Sequence, residues 1–580
     1  MSRLLCLIAM LLCFGLSASG CFTSSSSPDE EPGVHASSPS VHEGRAFQHR
    51  KAALLNGIVE GHQAHAHRGK YGYWYAQALL ALGRTEEGLQ VIDTLLQTPL
   101  NDEQGPMFVA WAMADTYLRW QHLFSEAVKA RFKTQLTGYA GYGRAKTENH
   151  RLMLATARYL AAETWPEAAF RSAFREKDPT GSTFLPKRMN KYVHRGTVEF
   201  DSPAYQAHYI GTMRTLADLA QDDEMRRKAA LTAEWLILEN AGEWLDGHWV
   251  SASLRHRSYY DGQDDFLAAD YLLWFYFGAS VLPDLAAERA LFTVQAAAGR
   301  YRLPAAIAAA ATDRSRPFVH RETDVWAGRR HYGTTYLHDT YGLYSVMEDY
   351  KVKQTEGRQY HRWAVQWRSD EAKSTLYVKH PHADTGEEGT TGFEQVMQHQ
   401  GTLLAVYAIP PAHPHTFVRL RTPSGFEAVI DESRRGDLFL HYGSVLVALR
   451  MNEPFAWQMT SDVYDHAAGV LGVVVETAHP AAYPGSAMDQ LLAFKQQIQQ
   501  HVLDFSVTAG VPSLRYTTVE GDTLGITFNG ERRVNNEPMD LRAWPLLENP
   551  WMRQNLDADR LVVAFDAQQI AYDFGSWTVH

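Results

Sequence analysis

Cysteine is almost missing from this chain: there are three in 580 residues, at positions 6, 13 and 21. Cys6 and Cys13 fall inside an apolar N-terminal run, so Cys21 stands alone in the rest of the sequence. A disulfide framework and a cysteine-based metal site are thereby excluded. Basic excess is missing too. The formal net charge is −11, which argues against a nucleic-acid partner and against a surface that clings to anionic lipid. No fixed-period consensus recurs, which excludes a solenoid. The apolar run LLCLIAMLLCFGL falls short of a full membrane span.

What is present begins with a targeting pattern. Arg3 supplies the charge, the apolar run follows, and the small residues Ala18, Ser19 and Gly20 lead to Cys21. This resembles a bacterial lipoprotein signal over 1–20, with Cys21 as the lipidated residue. Export and a lipid anchor in the cell envelope are the expectation, with an ordinary secretory signal as the alternative. Residues 21–48, rich in Ser and Pro, read as a flexible tether.

From 49 to 315 the pattern is helical. Segments such as YGYWYAQALLALGR, PMFVAWAMADTYLRW, ENHRLMLATARYLAAE and DEMRRKAALTAEWLILENA repeat apolar residues every three or four positions and are separated by short polar breaks. Successive helical hairpins of this kind curl into an (α/α) toroid, here an incomplete barrel. From 316 to 580 short segments rich in β-branched and aromatic residues take over, among them GTLLAVYAIP, VLGVVVETA and RLVVAFDAQQIAYDF. They predict an antiparallel β-sandwich, interrupted by one helix near 486–505.

Two helix starts carry the chemistry. In TENHR, Thr147 is the expected N-cap and Asn149 and His150 follow it. In EFDSPAY, Ser202 is the expected cap, Pro203 occupies the first helical position and Tyr205 completes the turn. Free N–H groups and the positive end of the helix dipole suit an anion there. An amide, an imidazole and a phenol facing a carboxylate form a set for removing a proton next to a uronate. The same residues also have structural uses: Asn149 and His150 can cap and solvate a turn, and Tyr205 continues through Tyr209, Met213 and Leu216 at core spacing.

Toroid plus sandwich, the Asn-His pair and a tyrosine about 55 positions later, with EQVMQHQGTLLAVYAIP and LFLHYGSVLVALRMNEPFAW in the β region, resemble the heparinase II/III-like and alginate-lyase-like polysaccharide lyases. The resemblance implies β-elimination on a uronic-acid-containing, anionic polysaccharide, with Asn149, His150 and Tyr205 catalytic and no arginine fixed by spacing. Glu199, His208, His248, Arg255, Arg257, Tyr260, His338 and His399 are the expected substrate-binding residues. No cofactor is expected, and a structural zinc in the β-domain, near His399, His413 and His415, is implied by resemblance only. The histidines of HQAHAH, 62–67, read as a solvated loop. Two alternatives remain open. Glu148, Glu199 and Asp201 could serve a toroidal glycoside hydrolase acting on uronides, or the chain could be a non-catalytic glycan-binding surface lipoprotein.

Overall fold

The computed structural model describes residues 41–65, 69–101, 105–142, 144–145, 147–168, 180–255, 266–326, 328–357, 359–369, 374–381, 390–456, 463–467 and 470–580. Among them are thirteen α-helices: α1 (Val41–Gly61), α2 (Gly69–Ala81), α3 (Thr85–Leu95), α4 (Pro106–Trp120), α5 (Glu126–Gly138), α6 (Glu148–Thr164), α7 (Phe184–Arg195), α8 (Gln206–Leu219), α9 (Asp223–Ala241), α10 (Ala268–Phe277), α11 (Val294–Ala298), α12 (Ala305–Thr312) and α13 (Ala487–Ile498). The helical region begins at Val41, inside the stretch expected to be tether. None of the described helices is long and apolar enough to cross a membrane.

Burial sorts the helices into two layers. Gly72–Leu80 of α2 and every residue of α10 are buried, as befits helices apolar all round. Outer helices bury one stripe: α5 buries Phe132 and Leu136, and α7 buries Leu185, Met189, Tyr192, Val193 and His194. The inner helices α2, α4, α6 and α8 neighbour one another in turn, and the short α11 touches both α8 and α2. That circuit is the toroid, with its last gap filled by five residues. A buried belt ties the inner wall: Trp74 donates to Gln295 at 3.1 Å, Trp111 to Thr215 at 3.0 Å, and Thr215 to Asp115 at 3.0 Å.

After α12 the chain is antiparallel β, as expected. A twelve-stranded and a six-stranded sheet share one core, in which Tyr344, Trp363 and Val365 of the first meet Leu404, Val406 and Val473 of the second. The stretch Leu503–Pro538 forms a five-stranded meander over the six-stranded sheet. Gly472 makes room for it, since a Cβ there would come within 2.6 Å of the Phe505 ring. The helix expected near 486–505 is α13, opened by a reciprocal Ser486–Asp489 cap.

The C-terminal strands do something the local pattern does not announce. Leu561, Val563, Ile570 and Tyr572 join the helical core rather than the sandwich core, so the twelve-stranded sheet serves both. Trp235 of α9 donates to Gln554 at 2.7 Å, Gln554 donates to the Val193 carbonyl at 2.7 Å, and Tyr572 donates to Glu234 at 2.9 Å.

Candidate active site

α6 starts where its sequence predicts, with Thr147 at the N-cap, but the cap works differently. The Thr147 hydroxyl donates to Asn149 Oδ1 at 2.6 Å, and the His150 N–H donates to the same oxygen at 2.6 Å. Asn149 is buried, its oxygen is held, and its Nδ2 has no hydrogen-bond partner among the described residues. An amide donor fixed at one end and free at the other suits an incoming carboxylate.

The second helix start differs from expectation by three residues. Ser202 to Tyr205 form a turn in which the Tyr205 N–H donates to Ser202 Oγ at 3.2 Å, and α8 begins at Gln206. Tyr205 is therefore the N-cap residue, half-buried rather than sealed in the core. The core role falls to Tyr209, fully buried one turn on, whose hydroxyl donates to Glu199 at 2.6 Å.

The two starts meet through rings. Phe108 of α4 lies 5.8 Å from the His150 ring and 5.2 Å from the His208 ring, and His208 lies 5.9 Å from the Tyr205 ring, centre to centre. Arg255 sits 5.5 Å above the Tyr205 ring and 3.3 Å from Glu199 Oε1. Asn149, His150, Glu199, Tyr205, His208 and Arg255 thus form one cluster, with Lys70 at its edge, 4.0 Å from the Phe108 ring centre.

Electrostatics inside the cluster favour neutral imidazoles. Burial lowers the pKa of His150, and Arg255 and Lys70 lower it further. Burial holds His208 well below the ordinary value, helped by Lys70 and His150. Burial also brings Lys70 down to about 8 and pushes the Glu199 carboxyl up, against the Tyr209 hydroxyl and Arg255.

Other expected residues lie elsewhere. His248 stacks on Phe266 at 5.2 Å, in a short hairpin with Leu245. His338 and His399 line a separate cavity of about 400 Å³ in the β-domain, together with Tyr341, His479 and Glu520. His399 Nε2 is 3.0 Å from Asp522. A cavity of about 620 Å³ opens between α1, α10 and the β-domain, near Arg314 and Arg368, apart from the cluster. Arg257, Tyr260 and Cys21 lie outside the described residues. His62 departs from the solvated-loop reading, since it is buried with Nε2 3.0 Å from the Ala287 carbonyl.

Metal ligands for the β-domain zinc do not assemble at the expected histidines. Among the described residues, no group of three ligand atoms close enough for one ion includes His399, His413 or His415. His413 Nδ1 is instead 2.9 Å from the His415 carbonyl. The carboxylates of the hydrolase alternative are already engaged by neighbouring groups. The Tyr209 hydroxyl lies 2.6 Å from Glu199 and 3.5 Å from Glu148, and Glu148 is taken by Arg188 at 2.5 Å and the Val198 N–H at 2.6 Å. Asp201 is buried, and Ser251, from the segment between the short 244–249 hairpin and α10, donates to it at 2.6 Å.

Lys70, Phe108 and Phe292, the last with its ring centre 4.6 Å from that of His208, are the cluster members that sequence reasoning misses. They come from other segments of the ring, and a lysine or phenylalanine in an apolar helical pattern carries no local mark of a site.

No protein-family model and no curated protein matches the chain. Among solved structures, heparinase III aligns at 9% identity over 79% of this chain and 82% of its own, with a TM-score of 0.35. The heparan sulfate lyase HepC from Pedobacter heparinus aligns at 10% identity, 85% and 83% coverage, and TM-score 0.35. The Streptomyces coelicolor A3 chondroitin AC lyase, in complex with chondroitin sulphate, aligns at 13% identity, 94% and 90% coverage, and TM-score 0.42. The side chains, not these alignments, carry the chemistry.

Proposed function

We propose that the cluster is the active site of a polysaccharide lyase that cleaves a uronate-containing, anionic polysaccharide by β-elimination. The observation that carries this reading is the free Asn149 Nδ2, with His150 next to it in the chain and Arg255 over the ring of Tyr205. Loss of the proton alpha to a carboxylate pushes charge into that carboxylate, and donors already aimed at it lower the barrier. Asn149 Nδ2 and Arg255 take this role. His150, neutral at pH 7 because its pKa is lowered, accepts the C5 proton. The electron pair forms the C4–C5 double bond, the C4–oxygen bond breaks, and the Tyr205 hydroxyl gives its proton to the departing oxygen. Lys70 and Arg255 supply local positive charge within a chain of net charge −11.

A glycoside hydrolase would need two free carboxylates astride the bond, and the pairing of Glu148 with Arg188 argues against it. The signal-like start and Cys21 support a lipid-anchored location in the bacterial cell envelope. Screening alginate, glucuronan, heparan sulfate, chondroitin and ulvan for new ultraviolet absorbance tests the reading. A conjugated product supports elimination, whereas reducing ends without absorbance would indicate hydrolysis.

A further inference from the structure

Behind the Tyr205 turn, where the toroid meets the β-domain, the protein buries carboxylates that have no matching cation at hand. Asp201 comes from the turn, Glu239 from the end of α9, and Glu322 from the strand Phe318–Trp326. All three are buried, and one oxygen of each lies within 4.8 Å of the others. Asp201 Oδ1 and Glu322 Oε2 accept no N–H or hydroxyl hydrogen bond from the described residues, and the two carboxyls lie within hydrogen-bond reach of each other. Gln206, fully buried, donates its Nε2 to Glu239 Oε2 at 2.7 Å, which fixes the orientation of its amide. Its carbonyl Oε1 is left without a partner. Gly333 keeps the space open, since a Cβ there would come within 2.6 Å of Glu322 Cγ and Oε1.

Buried carboxylates are paired, protonated or metal-bound. An ion about 2.4 Å from each oxygen sets opposite ligands no more than about 4.8 Å apart, and the three oxygens fall inside that limit. We propose that Asp201, Glu239 and Glu322, with the Gln206 carbonyl, bind one Ca²⁺ ion that joins the helical domain to the β-domain. An all-oxygen protein cage suits calcium, whereas magnesium keeps several waters and zinc prefers nitrogen or sulfur. The neighbouring His320 is not a ligand. Its Nδ1 faces the Asn549 amide N–H at 3.3 Å, which leaves the ring proton on Nε2, 3.8 Å from Glu322. Because Asp201 lies between Glu199 and Tyr205 in the chain, the ion would pin the turn that presents both to the site.

The test uses the full chain, stripped with a chelator and then titrated with CaCl₂, MgCl₂, MnCl₂ or ZnCl₂, reading bound metal by mass spectrometry and melting temperature by calorimetry. One Ca²⁺ per chain, a fall in melting temperature on chelation and its recovery with CaCl₂ are expected. Glu322→Gln should abolish both the retained ion and the calcium-dependent rise. A wild-type chain that retains no ion and melts identically with and without chelator overturns the proposal, as does preferential retention of zinc. Glu322→Gln melting at or above the wild-type temperature would likewise overturn it, identifying a proton-sharing acid cluster. If that variant does not fold, the wild-type titration decides alone. None of these readouts depends on lyase activity.

Discussion

At the scale of single residues, the account assigns distinct losses to distinct atoms. Tyr205→Phe removes the proton donor and His150→Ala the acceptor, and each should lower kcat by about 10²–10⁴-fold with an unchanged melting temperature. Normal turnover in either variant removes that residue from the mechanism. The pH dependence follows from the sign of the His150 shift. Its imidazole accepts a proton only when neutral, so kcat/KM should fall as pH drops through a value below 6.5, the ordinary histidine value. Lys70→Met, by deleting a charge that opposes the imidazolium, should move that acid limb upward; an unmoved limb would detach Lys70 from the base. The Asn-His pair and Tyr205 were legible because they sit at helix starts, where short polar signals are local. The atom that distinguishes Asn149 was not, because a free Nδ2 depends on Thr147 and the His150 N–H both reaching Oδ1.

At the scale of elements, periodicity of three and four marks nearly every helix of the ring, and α6 begins at the residue its cap predicts. α8 does not, because the Ser202 hydroxyl and carbonyl are consumed by a turn through Tyr205. That delay leaves Tyr205 half-buried at the N-cap, with Tyr209 taking the buried position one turn on. Packing between inner helices is tighter than sequence conveys: a Cβ on Gly211 of α8 would approach the Trp111 ring to 2.9 Å. Gly211→Ala should therefore cost about 1–3 kcal/mol, the usual range for overpacking, despite the better helix propensity of alanine. Urea unfolding measures it, and an unchanged or raised midpoint would mean that the inner wall yields. His338 and His399 were drawn toward the site by residue type alone. Only strand pairing, which one sequence does not display, sends them to a different cavity.

At the scale of the whole molecule, the change from helical to β pattern near residue 316 was plain, but the return of the C-terminal strands to the helical core was not. The alternation in RLVVAFDAQQIAYDF reports a two-faced strand without saying which core receives its apolar face. Because Tyr572 and Tyr301 both donate to Glu234 at 2.9 Å, the two halves should unfold together. Tyr572→Phe should cost about 1–3 kcal/mol and lower the melting of the helical and β signals alike; two separated transitions in the wild type would contradict this coupling. The central claim, that the amide, imidazole, guanidinium and phenol act together on an acidic sugar, is tested most directly by ultraviolet absorbance during incubation with uronate polysaccharides. The account predicts a rise with at least one polymer that disappears in Asn149→Ala and in Tyr205→Phe. Reducing ends released without absorbance, or a rise that survives both substitutions, would contradict it.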